Sequence, residues 1–295
     1  MVKYPWVCWG RIMKRFSIII IAYNLQEVLE RAIESVINQN FADYELIIVD
    51  DNSNDNTKEI INKYKEKYNF ISVFNEYNRG PGGARNAGFE KATGEYILYL
   101  DGDDTFCNNY VLFKINRLIA DDAPDILYLG YQEIGGFNKI YIQTKENSTK
   151  EALLTCCLSF HTWSKCYRRD FLKENNISFV ENMYYEDMIY VIKCTILSKK
   201  YKYGSFPIIN YYRDRKGSIM HMASIEKCSD MYRYLAILMD LYEQTPNMYK
   251  KYLLSFIINE TNNLPSKIKL IVKAIEAGTD VPLLSKRNYK LVDNL

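Results

Sequence analysis

From Phe16 onward, apolar and polar positions come in blocks with two periods. "FSIIIIAY" (16–23) is a continuous apolar run of strand length, the pattern of a parallel strand covered on both faces. In "QEVLERAIESVIN" (26–38), Val28, Leu29, Ala32, Ile33, Val36 and Ile37 fall on one helical face. "YELIIVDD" (44–51) reads as a second strand ending in acids, and "NDNTKEIINKYKEKY" (54–68) as a helix opened by Asn and Asp capping candidates. "FISVFNE" (70–76) is a third strand. Gly80 to Gly83 turn the chain into the helix "GARNAGFEKAT", Gly94 closes it, and "YILYL" (96–100) is a fourth strand. This alternation predicts a mostly parallel α/β sheet flanked by crossover helices, whose ligands sit at the carboxyl ends of the strands. Tyr23-Asn24, Asp50-Asp51 and Asp101 to Asp104 all lie at such ends, so three polar clusters converge on one crevice.

Beyond residue 106 the beat is less regular. "DILYLGY" (125–131) reads as a strand, "IGGFNKIYIQT" (134–144) as a hairpin or irregular pair, and "EDMIYVIKCTILSKK" (186–200) as a helix with Met188, Val191, Ile192 and Ile196 in a stripe. After residue 223 the pattern is helical. The expected organisation is a catalytic domain over 14–222, divided into halves 14–105 and 106–222, with a C-terminal helical extension over 223–295. Residues 1–12 read either as an interfacial foot or as an extension upstream of a start at Met13. In the tail, Ile268, Ile271, Val272 and Ile275 share one helical face, with Lys267, Lys269 and Lys273 on the rest. That stripe suits a peripheral membrane contact or the last helix of a bundle.

Composition narrows the classes. With 48% hydrophobic residues and a net charge of +2, the chain has material for a core and no basic excess for nucleic acid. The seven cysteines are scattered without a C-x-x-C pair, and His161 and His221 are the only histidines, which argues against a zinc site. Such cysteines are expected in a reduced, cytoplasmic protein. No apolar run has the length of a membrane span.

The candidate chemistry lies in "YILYLDGDDTF", where a strand runs into Asp101, Asp103 and Asp104. Like charges this close need a cation beside them, a metal ion or basic side chains. Two reactions fit: a D-x-D site holding the diphosphate of a sugar nucleotide through a divalent cation, or a haloacid-dehalogenase-type phosphatase with Asp101 as nucleophile and Asp103 as acid/base. Position separates them, because the phosphatase nucleophile follows the first strand of its domain and Asp101 follows the fourth. A non-catalytic relic that binds nucleotide or glycan is a third reading, disfavoured by the intact "DGDD" and "ED".

"SIIIIAYN", "YELIIVDDNSNDNT", "NRGPGGARNAGFEKATGEYILYLDGDD" and "YEDMIYV" together resemble the ordered motifs of family 2 inverting glycosyltransferases with the glycosyltransferase-A fold. The first two also resemble SpsA-type bacterial polysaccharide transferases. The resemblance implies a nucleotide-sugar donor, most simply a UDP-sugar, a glycan or lipid-linked glycan acceptor, and Mn²⁺ or Mg²⁺ as cofactor. Carried over by position, it places nucleotide contacts at Ala22, Tyr23 and Asn24, at Asp51 (acceptor for the uracil N3–H), at Arg85 and Asn86, and at Asp101, Gly102 and Asp103. Asp51 would otherwise cap the next helix, and Arg85 would otherwise pair with the aspartates; the two roles of Arg85 are compatible. The metal falls to Asp103 and Asp101, with Asp104 as an alternative ligand. Asp187 is the expected general base, with Glu186 in reserve. On the acceptor side stand Trp163, a sugar platform or a core residue, and Arg213, Ser218 and His221, a lid over the diphosphate or a polar loop. A cytoplasmic enzyme, peripheral on the inner face of the plasma membrane, would follow.

Overall fold

The computed structural model describes residues 13–135, 138–144, 160–213, 225–258 and 260–261. Among the described residues nine strands form one sheet: β1 (Phe16–Ala22), β2 (Tyr44–Asp50), β3 (Ile71–Phe74), β4 (Tyr96–Asp101), β5 (Thr105–Phe106), β6 (Ile126–Ile134), β7 (Ile140–Tyr141), β8 (Lys165–Arg168) and β9 (Tyr201–Tyr212). The helices are α1 (Leu29–Ile37), α2 (Thr57–Lys65), α3 (Gly80–Lys91), α4 (Val111–Ile119), α5 (Arg169–Glu174), α6 (Glu186–Leu197), α7 (Ile225–Gln244) and α8 (247–258). The sheet order is β3-β2-β1-β4-β8-β6-β9-β5, with β7 paired to β6.

The apolar run of β1 explains the layering. Ile19 and Ile21 join one core with Ala84 and Ala87 of α3 and Ile189 and Ile192 of α6. Phe16, Ile18 and Ile20 join the other with Leu29, Ile33 and Val36 of α1 and Val111 and Ile115 of α4. Alternate side chains of one strand thus feed two opposite cores, and each fully buried Ile contributes roughly 1.5–3 kcal/mol.

The parallel order runs unbroken through β3-β2-β1-β4, and β6 and β9 are parallel to each other again. Strand β8 enters antiparallel between β4 and β6, which turns the second half into a mixed sheet. Its sequence, Lys-Cys-Tyr-Arg, hides a strand because two of four positions are cationic. Both cations find partners: Arg168 pairs with Asp125 at 2.7 Å, and Lys165 Nζ donates to the His161 carbonyl at 2.6 Å. Helix α1 starts later than its periodicity suggests. Residues 25–28 form a turn in which the Leu25 N–H donates to Thr57 Oγ1 (2.8 Å) and that of Gln26 to Asp55 Oδ2 (3.0 Å). Of the hairpin or irregular pair expected at 134–144, Ile140–Tyr141 form β7, which pairs antiparallel with Tyr131 and Gln132 of β6. Residues 1–12, the expected boundary at Met222 and the basic stripe at 267–275 lie outside the described residues.

Helix α3 presses on the sheet at Gly88, where an added Cβ would lie 2.4 Å from Ile19 Cγ2 and 3.2 Å from Val49 Cγ2. Both neighbours are β-branched side chains locked in strands and cannot swing aside. Gly88→Val is expected to cost about 3 kcal/mol, the upper range of overpacking. Urea unfolding checks this: the midpoint should fall with an unchanged slope.

Candidate active site

The parallel register levels the strand tips. Ala22 lies opposite Asp50, and Ile21 opposite Asp101. The Asp51 N–H donates to the Ala22 carbonyl at 2.8 Å and the Gly102 N–H to the Ile21 carbonyl at 2.9 Å, so both loops leave the sheet tied to β1. Gly102 is required by this approach, because a Cβ there would sit 2.8 Å from the Ile21 carbonyl oxygen.

On the β2 side, Asp51 is 3% exposed and does not cap α2. That work falls to Asp55, whose Oδ1 accepts the Thr57 N–H at 3.0 Å. The Asp51 carboxylate instead accepts Asn75 Nδ2 at 2.7 Å and the Arg79 backbone N–H at 3.0 Å. Burial raises its pKa against the opposing effect of these donors. Arg79 then forks onto Glu181, with Nε at 3.1 Å from one oxygen and Nη2 at 2.5 Å from the other. Tyr23 leaves its ring 42% exposed beside this corner. Two expected contacts are used internally. The Asn24 side chain, at a residue with φ +53°, accepts the Asn54 N–H at 2.8 Å. The Asn86 amide pairs with the backbone of Phe179 in both directions at 3.0 Å.

The acidic turn is divided by its partners. Arg85, 4% exposed, donates to Asp101 Oδ1 at 2.8 Å and to Glu186 Oε1 at 2.7 Å. Burial works against its charge, but Asp101, Glu186 and Asp187 outweigh that and hold the guanidinium firmly protonated. Arg31 donates to the Asp103 carbonyl and lies 3.7 Å over the Tyr212 ring. Asp104 departs from the expected ligand role. It is 1% exposed and accepts the Tyr212 N–H at 2.9 Å, and burial, then Asp103 and Asp101, push its carboxyl well above the usual range. Its side chain belongs to the β9 anchor.

Among the described residues, no three His, Cys, Asp or Glu side chains gather to hold a metal by themselves. Asp103 and the Asp101 oxygen turned away from Arg85 are hard donors of the kind Mg²⁺ or Mn²⁺ takes when one or two carboxylates are completed by phosphate oxygens and water. The donor set therefore fits a shared site.

Facing the turn, α6 opens with Glu186 and Asp187. Burial pushes both carboxyls up, Arg85 opposing. Asp187 also attracts Lys165, which is 1% exposed on β8 and gives Nζ to the His161 carbonyl. Trp163 is core rather than platform: it is 4% exposed, with His161 stacked on it at 4.6 Å, Tyr211 at 5.5 Å and Tyr131 edge-on at 5.0 Å. The half-buried rings that feel the acidic turn electrostatically are His161 and Tyr211 instead. Arg213 is exposed, 3.4 Å from Glu133. Ser218 and His221 lie outside the described residues.

Comparison with known proteins decides the family. The model of Glycosyl transferase family 2 matches residues 17–188, more than half of the chain. The chain belongs to glycosyltransferase family 2. It is 29% identical over 266 residues to the cholesterol galactosyltransferase of Borreliella burgdorferi, covering 82% of this chain and 73% of that protein. It is 32% identical over 212 residues to the Escherichia coli UDP-Glc:alpha-D-GlcNAc-diphosphoundecaprenol beta-1,3-glucosyltransferase WfaP, 70% and 80% of the two chains. With the Staphylococcus aureus poly(ribitol-phosphate) beta-N-acetylglucosaminyltransferase TarS, identity is 28% over 270 residues, 88% of this chain but 47% of TarS. The chain thus spans about half of that relative. The crystal structure of TarS 1–349 with UDP-GlcNAc superposes with a TM-score of 0.71 at 24% identity, covering 83% of this chain and 72% of that one. The sheet and its helices are the glycosyltransferase-A fold, and the family 2 chain is a glycosyltransferase. The phosphatase reading of Asp101 gives way to it.

Sequence reasoning missed Asn75, Arg79, Arg31, Lys165 and His161 as members of this site. Arg79 stands in "NRGPGG" (78–83) and Lys165 in "HTWSKC" (161–166), yet nothing in the spacing says which carboxylate each would meet. Lys165 offers a test of the site's electrostatics. Burial lowers its pKa from 10.5 to about 7, Asp187 opposing. Between those two values the unfolded chain holds a proton that the folded chain has lost, so stability should rise with pH across that window. Lys165→Met should flatten the rise. Urea midpoints at pH 7 and 9.5 measure it, and equal slopes in both proteins would contradict the assignment.

Proposed function

We propose that this glycosyltransferase moves one sugar from a UDP-linked donor to a hydroxyl of a glycan or lipid-linked glycan, with inversion, in bacterial surface-polysaccharide synthesis. The observation that carries the reading is the Arg85 bridge: it brings Asp101, at the tip of a nucleotide-side strand, and the Glu186–Asp187 pair into one buried charge group. A donor diphosphate at the first and an acceptor hydroxyl at the second would meet across the anomeric carbon.

The donor half supplies binding. Tyr23 offers a ring face to the base, and Asp51, with about four lone-pair sites on its carboxylate, retains acceptor capacity for the uracil N3–H beside Asn75 and Arg79. Asp103 and the outward oxygen of Asp101 would hold Mg²⁺ or Mn²⁺, which when bound supplies Lewis-acid stabilisation of the leaving diphosphate.

The acceptor half supplies the base. Glu186 is committed to Arg85, which leaves Asp187 to take the proton of the attacking hydroxyl. Its raised pKa makes it a stronger base than a surface carboxylate. His161 and Tyr211 replace Trp163 as the rings on which an acceptor sugar can rest. The diphosphoundecaprenol-linked acceptor in the name of the Escherichia coli relative supports a lipid-linked glycan as acceptor here. Among the described residues, no helix is long and apolar enough to cross a membrane.

Two outcomes test the assignment. Asp187→Asn should keep donor affinity and lose roughly two to four orders of magnitude in turnover, the usual worth of a general base. A dead Glu186→Gln beside an active Asp187→Asn would move the base by one residue. Asp103→Ala should abolish transfer and remove the Mn²⁺ dependence of UDP binding, read by thermal shift. UDP binding that ignores Mn²⁺ in the wild type would refute a shared metal site.

A further inference from the structure

The segment that delivers Glu186 and Asp187 is held in an unusual backbone. Asn182 has φ +48°, and Tyr185, immediately before the acid pair, has φ +69°. Asn tolerates the left-handed region, but a bulky side chain there costs about 1–2 kcal/mol and persists only where its surroundings impose it.

The surroundings come from two places. On the donor side the Asn182 N–H donates to the Arg79 carbonyl at 3.1 Å, next to the Glu181–Arg79 fork. On the far side three contacts come from α7. Asp230 Oδ2 accepts the Tyr184 N–H at 2.8 Å, Arg233 Nη1 donates to the Asn182 carbonyl at 3.3 Å, and the Tyr234 ring lies 5.6 Å from that of Tyr185. Asp230 is 8% exposed and is braced by Arg233 at 3.0 Å. A buried carboxylate on a helix outside the matched family segment thus fixes a backbone N–H two residues before Glu186. The first turn of α6 must start where this clasp leaves it, so the clasp sets the direction of the Asp187 side chain.

We infer that Asp230, braced by Arg233, is a positioning residue for Asp187, and that α7 is part of the catalytic apparatus rather than an appendage. The inference rests on Asp187 being the base. Asp230 holds the Tyr184 N–H, on the acid-pair side of the Asn182–Arg79 contact, so its loss should govern turnover and leave donor binding alone.

The experiment compares steady-state sugar transfer by the full chain and its variants. Asp230→Ala should lower kcat about ten- to a hundredfold with an unchanged donor KM, the scale of a misplaced catalytic group. Asp230→Asn, which keeps an oxygen for the Tyr184 N–H, should recover most of the loss; a merely electrostatic role would not separate the two. In a Tyr185→Gly background, where φ +69° carries no strain, the Asp230→Ala loss should shrink, giving a measurable coupling. If Asp230→Ala does not fold, Arg233→Ala carries the test through its half-exposed side chain, with a drop in kcat of about threefold or more at constant donor KM. Wild-type kcat in Asp230→Ala, or in Arg233→Ala where that variant stands in, overturns the inference. Asp187→Asn is run alongside: full activity there removes the base assignment itself, whereas an inactive Asp187→Asn with an unaffected Asp230→Ala removes only the clasp.

Discussion

The double ion pair of Arg85 is the constraint on which the site depends. A guanidinium withdrawn from water loses several kcal/mol of hydration, and only well-placed carboxylates offset that loss. Here one comes from the tip of β4 and the other from the first turn of α6, 101 residues further along than Arg85. Satisfying one cation therefore fixes the distance between the parallel half of the sheet and the helix that carries the acids. Loss of either carboxylate would leave the buried guanidinium half-matched, a change worth at most about 3–5 kcal/mol. The tolerance for movement between the two halves is correspondingly small at this point.

A second line of contacts runs parallel to the first. Asp51 holds the Arg79 N–H, Arg79 holds Glu181, and its carbonyl holds Asn182. From there the chain needs only four residues to reach the acid pair. Both lines start at a strand tip and end at α6, one through a buried side chain and one through backbone and surface. Together they make residues 179–187 the part of the second half that is built to the geometry of the first. The left-handed Tyr185 is the local cost of meeting both lines and the α7 contacts at once.

This explains what could be read from the sequence and what could not. The β1 to β4 half was legible because its apolar runs, "SIIIIA", "LIIV" and "YILYL", have one period, one length and polar tips. The acid pair was legible because two carboxylates open an apolar helix. Strand β8 escaped because its pattern is polar, and it is a strand only because Asp125 and the His161 carbonyl accept its cations. Trp163 could not be assigned between core and crevice, since the sequence does not show that His161, Tyr131 and Tyr211 close around it. The pairings of Arg79, Arg31 and Lys165 join elements far apart in the chain, and no local spacing encodes them.

The crowding of acids at 101–104 is relieved by three different means. Asp101 is matched by Arg85. Asp104 turns away into β9, where burial opposes its charge and the Tyr212 N–H takes its oxygen. Asp103 keeps its side chain at the boundary with water, where the dielectric weakens repulsion, while Arg31 fixes its backbone instead. The same short segment thus contains an acid held by a cation, an acid buried for anchoring and an acid left at the solvent edge. The D-x-D spacing thus sets Asp101 in the Arg85 bridge and Asp103 half-buried two residues on, while the third acid of the run, Asp104, is withdrawn into the fold against β9.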